Sequence, residues 1–242
     1  MEISSAEVLH WDTWNSRYRQ GNLDDACKRR MREVLAAVAD LKIQDAKILE
    51  VGCGTGWLSC KLCEFGGVTA VDLGREIIEN AKASYPEIDF RSGDIHTVDL
   101  PVNSFDVIVN LETLSHVPDQ PAFVSRLAQL LKPGGFLLLT TQNKTVFERR
   151  ADIGPPGWIR KWVTMKTLKR FLRPEFSLRR ATTLEPEGHL GFLYIINSAR
   201  MNYYLDAVLG APRVKRLKES AGFGQTIFVI AAKRLTPRHS RR

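Results

Sequence analysis

The sequence predicts an α/β domain built on a parallel sheet with helices on both faces. Two observations carry this. Through residue 142, short apolar runs alternate with amphipathic stripes of helical period, the rhythm of right-handed βαβ crossovers. The first such run also opens into a glycine-spaced turn. Lys47–Ser59 reads K-I-L-E-V-G-C-G-T-G-W-L-S. Ile48, Leu49 and Val51 suit a buried parallel strand, and Trp57 to Phe65 reads as the helix after the turn. Glycines at a strand-to-helix turn let backbone approach a ligand and aim helix N-terminal N–H groups at it. The spacing is E-x-G-x-G-x-G, which differs from the dinucleotide G-x-G-x-x-G.

The flanking elements follow in order. Trp11, Trp14 and Tyr18 predict a helix over 6–20 with an aromatic face, either packed on the domain or closing a pocket as a lid. A second helix runs from Asp25 to Leu41, with Met31, Val34, Leu35, Val38 and Leu41 inward. Arg29, Arg30 and Arg32 lie near its start, where the helix dipole disfavours cations, so solvent or another partner must receive them. Further strands are expected at 67–72, 88–91, 105–110 and 135–141. Intervening helices begin at Arg75 and near Phe123. After Gln142 the rhythm changes: 143–175 and 185–222 are too long for simple crossovers, and 176–184 and 225–233 read as the last two strands. The organisation is one domain over 1–242. Its parts are N-terminal helices (1–45), a ligand-binding core (46–142), insertions (143–222), a last strand (223–234) and a basic tail (235–242).

Composition narrows the class. A chain of 242 residues with 44% hydrophobic and 26% charged residues buries a full core. No apolar run approaches the roughly 18 residues that span a bilayer. The acidic start M-E-I-S-S-A-E-V lacks a signal peptide's basic and apolar regions, so a cytoplasmic location is expected. Four cysteines do not make a disulfide framework, and Cys60 and Cys63 read as helix-packing residues. A net charge of +8 favours acidic partners without choosing among them.

In doubly wound sheets ligands lie beyond the carboxyl ends of the strands. Gly52–Gly56, Asp72, Asp94 and Asn110–Leu111 fall there. An acid after the second strand suits a ribose diol, and a polar turn after the third suits an adenine amine. Together they describe an adenosine-containing ligand.

The strings E-V-G-C-G-T-G, A-V-D, S-G-D-I, F-D-V-I-V-N-L-E-T-L-S-H-V-P-D and L-L-K-P-G-G resemble the successive motifs of class I S-adenosylmethionine-dependent methyltransferases, over about residues 28–142. The nearest resemblance is to the ubiquinone-biosynthesis O-methyltransferase type. It implies a Rossmann-like seven-stranded sheet of order 3-2-1-4-5-7-6 with strand seven antiparallel. It also implies S-adenosyl-L-methionine as cofactor. Gly52, Cys53, Gly54 and Gly56 would pass beneath its methionine part, braced by Glu50. Asp72 with Leu73 would hold the ribose, Asp94 with Ile95 would meet adenine, and the backbone at Asn110–Leu111 would close the pocket. Arg32 matches an arginine that contacts the cofactor carboxylate.

That subgroup also carries E-x-x-E-H, implicated in metal binding. Here Glu112-Thr113-Leu114-Ser115-His116 replaces the second carboxylate with serine, a poor ligand for a hard cation, so no essential metal is expected. His116 is then the candidate general base for an acceptor hydroxyl, with Glu112 beside it if the segment is helical.

Residues 157–180 hold eight Lys/Arg against the single acid Glu175, with Trp158, Ile159, Trp162, Met165, Leu168, Phe171 and Leu172 approximating a helical stripe in which Thr164 can start a new helix. This reads as a cover helix or as peripheral contact with the inner face of an anionic membrane. The aromatic stretch Tyr194–Leu205 is expected to roof the acceptor pocket. The function expected is methyl transfer to oxygen of a small or lipid-linked hydroxylated acceptor. The alternatives are an RNA or protein methyltransferase, and a nicotinamide-dependent oxidoreductase. Nucleic acid is not the expected partner, because no RNA-binding appendage and no N-P-P-Y-like tetrapeptide is present.

Overall fold

The apolar run of the first strand lies in the middle of the sheet, where both faces are covered. In the computed structural model, which describes residues 4–18, 23–150 and 161–235 (backbone alone at 16–18), β1 spans Ala46–Val51. Ile48 lies between Val68 of β2 (Gly66–Asp72) and Val107 of β4 (Phe105–Leu111), all in parallel register. A strand buried on both faces reads as a continuous hydrophobic run, which is why β1 and β4 show no alternation. β3 (Asp89–Ser92) pairs with β2, and β5 (Leu131–Gln142) pairs with β4. β7 (Gly224–Lys233) runs antiparallel between β5 and β6 (Phe176–Pro186). The order is β3-β2-β1-β4-β5-β7-β6, as the resemblance implied.

Two apolar clusters sandwich this sheet. On one face α2 (Asp25–Leu41), α3 (Trp57–Leu62) and α4 (Arg75–Ser84) contribute Val34, Leu58 and Ile77. On the other, α5 (Gln120–Leu130) and α7 (Met165–Leu172) contribute Leu127, Leu130, Leu168 and Leu172. Asp24 caps α2 through Cys27 N at 2.6 Å, and Asp119 caps α5 through Ala122 N at 3.0 Å.

The N-terminal helix α1 (Ser5–Tyr18) is fastened by a polar contact. Asp12 is buried and accepts the Ile77 N–H at 3.0 Å, satisfying one of the open donors at the start of α4. The short α6 (Lys144–Phe147) follows β5, and α8 (Phe192–Ile196), α9 (Ala199–Leu209) and α10 (Ala211–Ser220) fill the stretch between β6 and β7.

The basic stretch at 157–180 is not one long amphipathic helix. Within it α7 has eight residues, Arg173 begins a turn and β6 starts at Phe176. Leu168 and Leu172 are fully buried in the core, with Met165 and Phe171 packed beside them. Burial holds each leucine by roughly 1.5–3 kcal/mol. That apolar face is therefore committed to the sheet and is not offered to a bilayer. Trp158 and Ile159 lie outside the described residues, as do the side chain of Tyr18 and the tail beyond Leu235. Among the described residues no helix is long and apolar enough to cross a membrane.

Candidate active site

The turn after β1 is held by its neighbour strand. Gly52 N and Cys53 N donate to the Val71 carbonyl at 2.7 and 3.1 Å, and Gly54 N donates to Asp72 Oδ2 at 2.8 Å. Gly74 N donates to Asp72 Oδ1 at 3.0 Å. One carboxylate at the end of β2 thus ties together the two turns that flank it. Burial raises the Asp72 pKa above the ordinary carboxylate range; the Gly74 and Gly54 N–H groups act against the shift, and Asp12 adds to it.

Gly54 also admits α1. A Cβ there would stand 2.8 Å from Asn15 Oδ1, and φ is +53°. Gly56 is needed for a different reason. It does not line the cavity, and its φ of +78° and a would-be Cβ only 2.7 Å from the Phe90 ring show that it serves packing between α3 and β3. Its place beneath a cofactor is therefore corrected.

Glu50 does line the cavity and is buried, but Asp72 rather than Glu50 braces the glycine turn. Ser59 Oγ donates to Glu50 Oε2 at 2.5 Å. Desolvation pushes the Glu50 pKa up to about 8; the Ser59 hydrogen bond works against this and Asp72 reinforces it. Burial thus favours the neutral acid.

A cavity of about 980 Å³ opens at these strand ends. Gly52, Cys53, Gly54, Asp72, Leu73, Asp94, Ile95, Leu111, Glu112 and His116 all line it. The Asp94 turn is shaped by Asp94 Oδ1 accepting His96 N at 3.0 Å. Asn110 does not line it. Its side chain is fully buried, and Nδ2 donates to the Val51 carbonyl at 2.8 Å, which locks the end of β4 to β1.

The arginine in the cavity is Arg30, and this corrects the expectation for Arg32. Arg32 is exposed, whereas Arg30 is 8% exposed and lines the cavity. The buried face of α2 comprises Cys27, Arg30, Val34, Ala37 and Val38. This 3-4-3 spacing identifies Arg30 as inward, whereas the more apolar neighbours Met31 and Leu35 sit at the margin.

Arg30 Nη2 donates to Cys27 Sγ at 3.0 Å. Its charge faces Glu112 (Nε to Oε1, 4.0 Å) and Glu185 (Nη1 to Oε2, 3.9 Å), both beyond hydrogen-bonding distance. Nε is buried without a hydrogen-bond partner among the described residues. Burial works against the charge, but Glu112, Cys27 and Glu185 more than offset it, and the guanidinium pKa stands above its ordinary value. Glu112 and Glu185 have φ of 60° and 59°, left-handed conformations that cost a non-glycine residue roughly 1–2 kcal/mol each. Strain of this kind gathers at functional sites.

Glu112 and His116 do not share a helical face. Glu112 is in the left-handed region, and only Leu114–His116 forms a single 3₁₀ turn. Both nevertheless line the cavity. Ser115, in place of a second carboxylate, is buried and donates to Gln142 Oε1. Among the described residues no group of three His, Cys, Asp or Glu side chains is placed to hold a metal ion.

The cavity has walls beyond the sequence motifs. Helix α1 supplies Glu7, Trp11, Trp14 and Asn15, and the Trp11 ring lies 4.7 Å from the His116 ring, edge to face. Helix α1 thus packs on the domain through Asp12 and also forms part of the cavity wall. On the far side stand Phe147, Arg150, Glu187 and Gln225. Arg150 Nη1 donates to Glu187 Oε2 and to Gln225 Oε1, with its guanidinium over Phe147. No sequence motif marked these residues. They converge only when β6, β7 and α6 assemble. The aromatic insertion does not roof the cavity: Tyr194, Asn197, Met201, Tyr203, Tyr204 and Leu205 are absent from its lining.

Comparison with known proteins agrees with this geometry. Residues 49–139 match the family model described as a methyltransferase domain. The ubiquinone biosynthesis O-methyltransferase of Xanthomonas oryzae pv. oryzae is 39% identical over 113 residues, covering 44% of this chain and 47% of that protein. The protein of the same name from Cereibacter sphaeroides is 26% identical over 211 residues, 80% of this chain and 85% of its own length. The alignment with the Xanthomonas protein thus spans about half of that relative. The crystal structure of an S-adenosylmethionine-dependent methyltransferase from Mesorhizobium loti superposes with a TM-score of 0.60 at 19% identity, covering 84% of this chain and 97% of that one. The cofactor implied by the domain and the fold is S-adenosylmethionine. The residues present fit it: a buried guanidinium with an open N–H suits its carboxylate, and Asp72 stands at the strand end where a ribose would lie. Residues 49–139 thus match a methyltransferase domain, and the chain has the fold seen in the S-adenosylmethionine-dependent methyltransferase of Mesorhizobium loti.

Proposed function

We propose that this chain methylates a hydroxyl oxygen of a small or lipid-linked acceptor. The observation that carries the reading is one continuous cavity lined both by the cofactor-side residues Gly52, Asp72 and Asp94 and by His116, Gln142 and Phe147. When bound, S-adenosylmethionine supplies a methyl group on a sulfonium sulfur, an electrophile for in-line displacement. The chain's own groups do the rest. Arg30 holds the carboxylate of the methionine part, and Asp72 accepts from the ribose hydroxyls, since each carboxylate oxygen takes more than one donor. His116 accepts the acceptor's hydroxyl proton at an imidazole nitrogen as the oxygen forms its new bond to carbon. Trp11 packs edge to face against that imidazole and helps to fix it. Positioning of this kind supplies much of the rate in a displacement reaction. The names of the relatives favour oxygen as the acceptor atom.

The deciding experiment incubates the protein with methyl-labelled S-adenosylmethionine and fractionated cell extract. Label in small molecules or lipid supports the reading. Label confined to RNA or protein, or no transfer to any fraction, overturns it.

A further inference from the structure

Among the described residues, most of the exposed large apolar side chains lie outside the cavity. Fourteen large hydrophobic side chains are exposed among the described residues, and ten of them fall between Leu190 and Leu217. Monomeric proteins seldom leave so many large apolar side chains of one stretch in water without a use for them. We propose that α8–α10 is a docking surface for an anionic phospholipid bilayer. This inference stands apart from the methyl-transfer reading.

The geometry is that of a platform. Helix α9 has no buried side chain. Met201, Tyr204 and Val208 follow one another at three- and four-residue spacing on one face, and Tyr203 and Val208 are 72% and 80% exposed. Tyr194 and Ile195 of α8 extend the apolar set. The three helices are welded rather than loose. Lys218 Nζ donates to the Ile196 carbonyl at 2.7 Å and to Asn202 Oδ1 at 2.5 Å, and Glu219 binds Arg29 of α2 at 2.8 Å.

Charge selects the occupant. Arg200, Arg213, Lys215 and Arg216 are exposed on these helices, while their acids are the half-buried Asp206 and Glu219, buried against Arg29. Arg200 lies four residues before Tyr204 and Arg213 four before Leu217, so cation and apolar group share a face on each helix. A second copy would set this basic rim against itself. An anionic headgroup layer neutralises it, while tyrosines, apolar in body and polar at the tip, suit the interface between headgroups and acyl chains. The surface is also coupled to the cavity: Asn197 Nδ2 donates to the carbonyl of Glu187, a cavity residue, at 2.9 Å.

The test is co-sedimentation with vesicles of phosphatidylcholine alone or with phosphatidylglycerol, at low and high salt. The variants are Tyr204→Glu/Val208→Glu and Arg213→Glu/Arg216→Glu, all at exposed positions, with binding of labelled S-adenosylmethionine as the check on folding. Wild type should bind phosphatidylglycerol vesicles at low salt and release them at high salt. Each double variant should lose at least about tenfold in partitioning while keeping cofactor binding. Failure of wild type to sediment, or equal sedimentation of wild type and both variants, overturns the proposal. So does a wild-type dimer that the Glu substitutions split without vesicle binding, which would give the face to a second copy. Binding only to an acidic protein would likewise overturn it.

Discussion

The indole of Trp11 meets the imidazole of His116 edge to face, with ring centroids 4.7 Å apart and planes at 73°. A residue of the first helix thus bears directly on the candidate base. His116→Ala should lower kcat by about 10²–10⁴-fold, the usual worth of a positioned general base. Trp11→Phe should retain most activity, and Trp11→Ala should lose about tenfold, because the imidazole is then less well fixed. Steady-state kinetics over a range of pH checks this; full kcat in His116→Ala from about pH 6 to 9 removes His116 from the chemistry.

The exchange of Arg32 for Arg30 gives a paired prediction. Arg30→Met should weaken S-adenosylmethionine binding by about 10–100-fold, the worth of one charge-assisted hydrogen bond. Arg32→Met, at an exposed position, should leave binding within about twofold. Calorimetric titration of both variants decides. Comparable losses at the two sites would contradict the assignment, and a Tm measured alongside separates binding from the cost of leaving Glu112 and Glu185 without their cation.

Asp72 holds two turns and faces the cavity at once. Asp72→Asn keeps one acceptor oxygen for the two backbone N–H groups of Gly54 and Gly74, so it should lower stability by about 1–2 kcal/mol. Cofactor affinity should fall further, by about tenfold or more, since a carboxamide is a weaker acceptor for a diol. Denaturant unfolding and equilibrium dialysis, run on the same preparation, check the two effects. An unchanged affinity would place the ribose elsewhere.

Glu50 gives a pH dependence with a definite sign. Its folded pKa, about 8, lies above the ordinary 4.5, so the folded chain keeps a proton that the unfolded chain gives up between those values. The neutral acid's contribution is whole below about 4.5 and is lost as pH rises through about 8. Glu50→Gln has no proton to lose. Its Tm relative to wild type should therefore climb with pH between about 5 and 9, by an amount worth a few kcal/mol. A difference that stays flat over that range would show that Glu50 is ionised in the folded chain.

Much of the site was legible because it lies on local strand-to-turn signals. Asp72, Asp94 and the glycine turn sit where a strand's apolar run ends, and a strand end fixes position without knowledge of the rest of the fold. Arg32 is the position that the family resemblance singles out, but a motif match carries no information on which side of α2 meets the cavity, and Arg30 is the arginine on the buried face with Cys27 and Val34. The face is set by where α2 meets the sheet, not by which side chains are most hydrophobic. Gly56 follows a motif yet serves Phe90, a contact visible only when β3 is in place.

What the sequence determined by itself was the chain of alternating strands and helices, the sheet that the motifs implied and the identity of the strand ends. These follow from periodicity and turn chemistry, interactions that span a few residues. The tertiary structure decided which arginine faces the cavity and that Trp11 of α1 packs against His116. It also decided that the aromatics of α8–α10 face outward while Phe147, Arg150, Glu187 and Gln225 form the far wall. Those residues are separated by up to 78 positions in sequence. No local propensity encodes a meeting at that distance; the packing of β6 and β7 against β5 creates it.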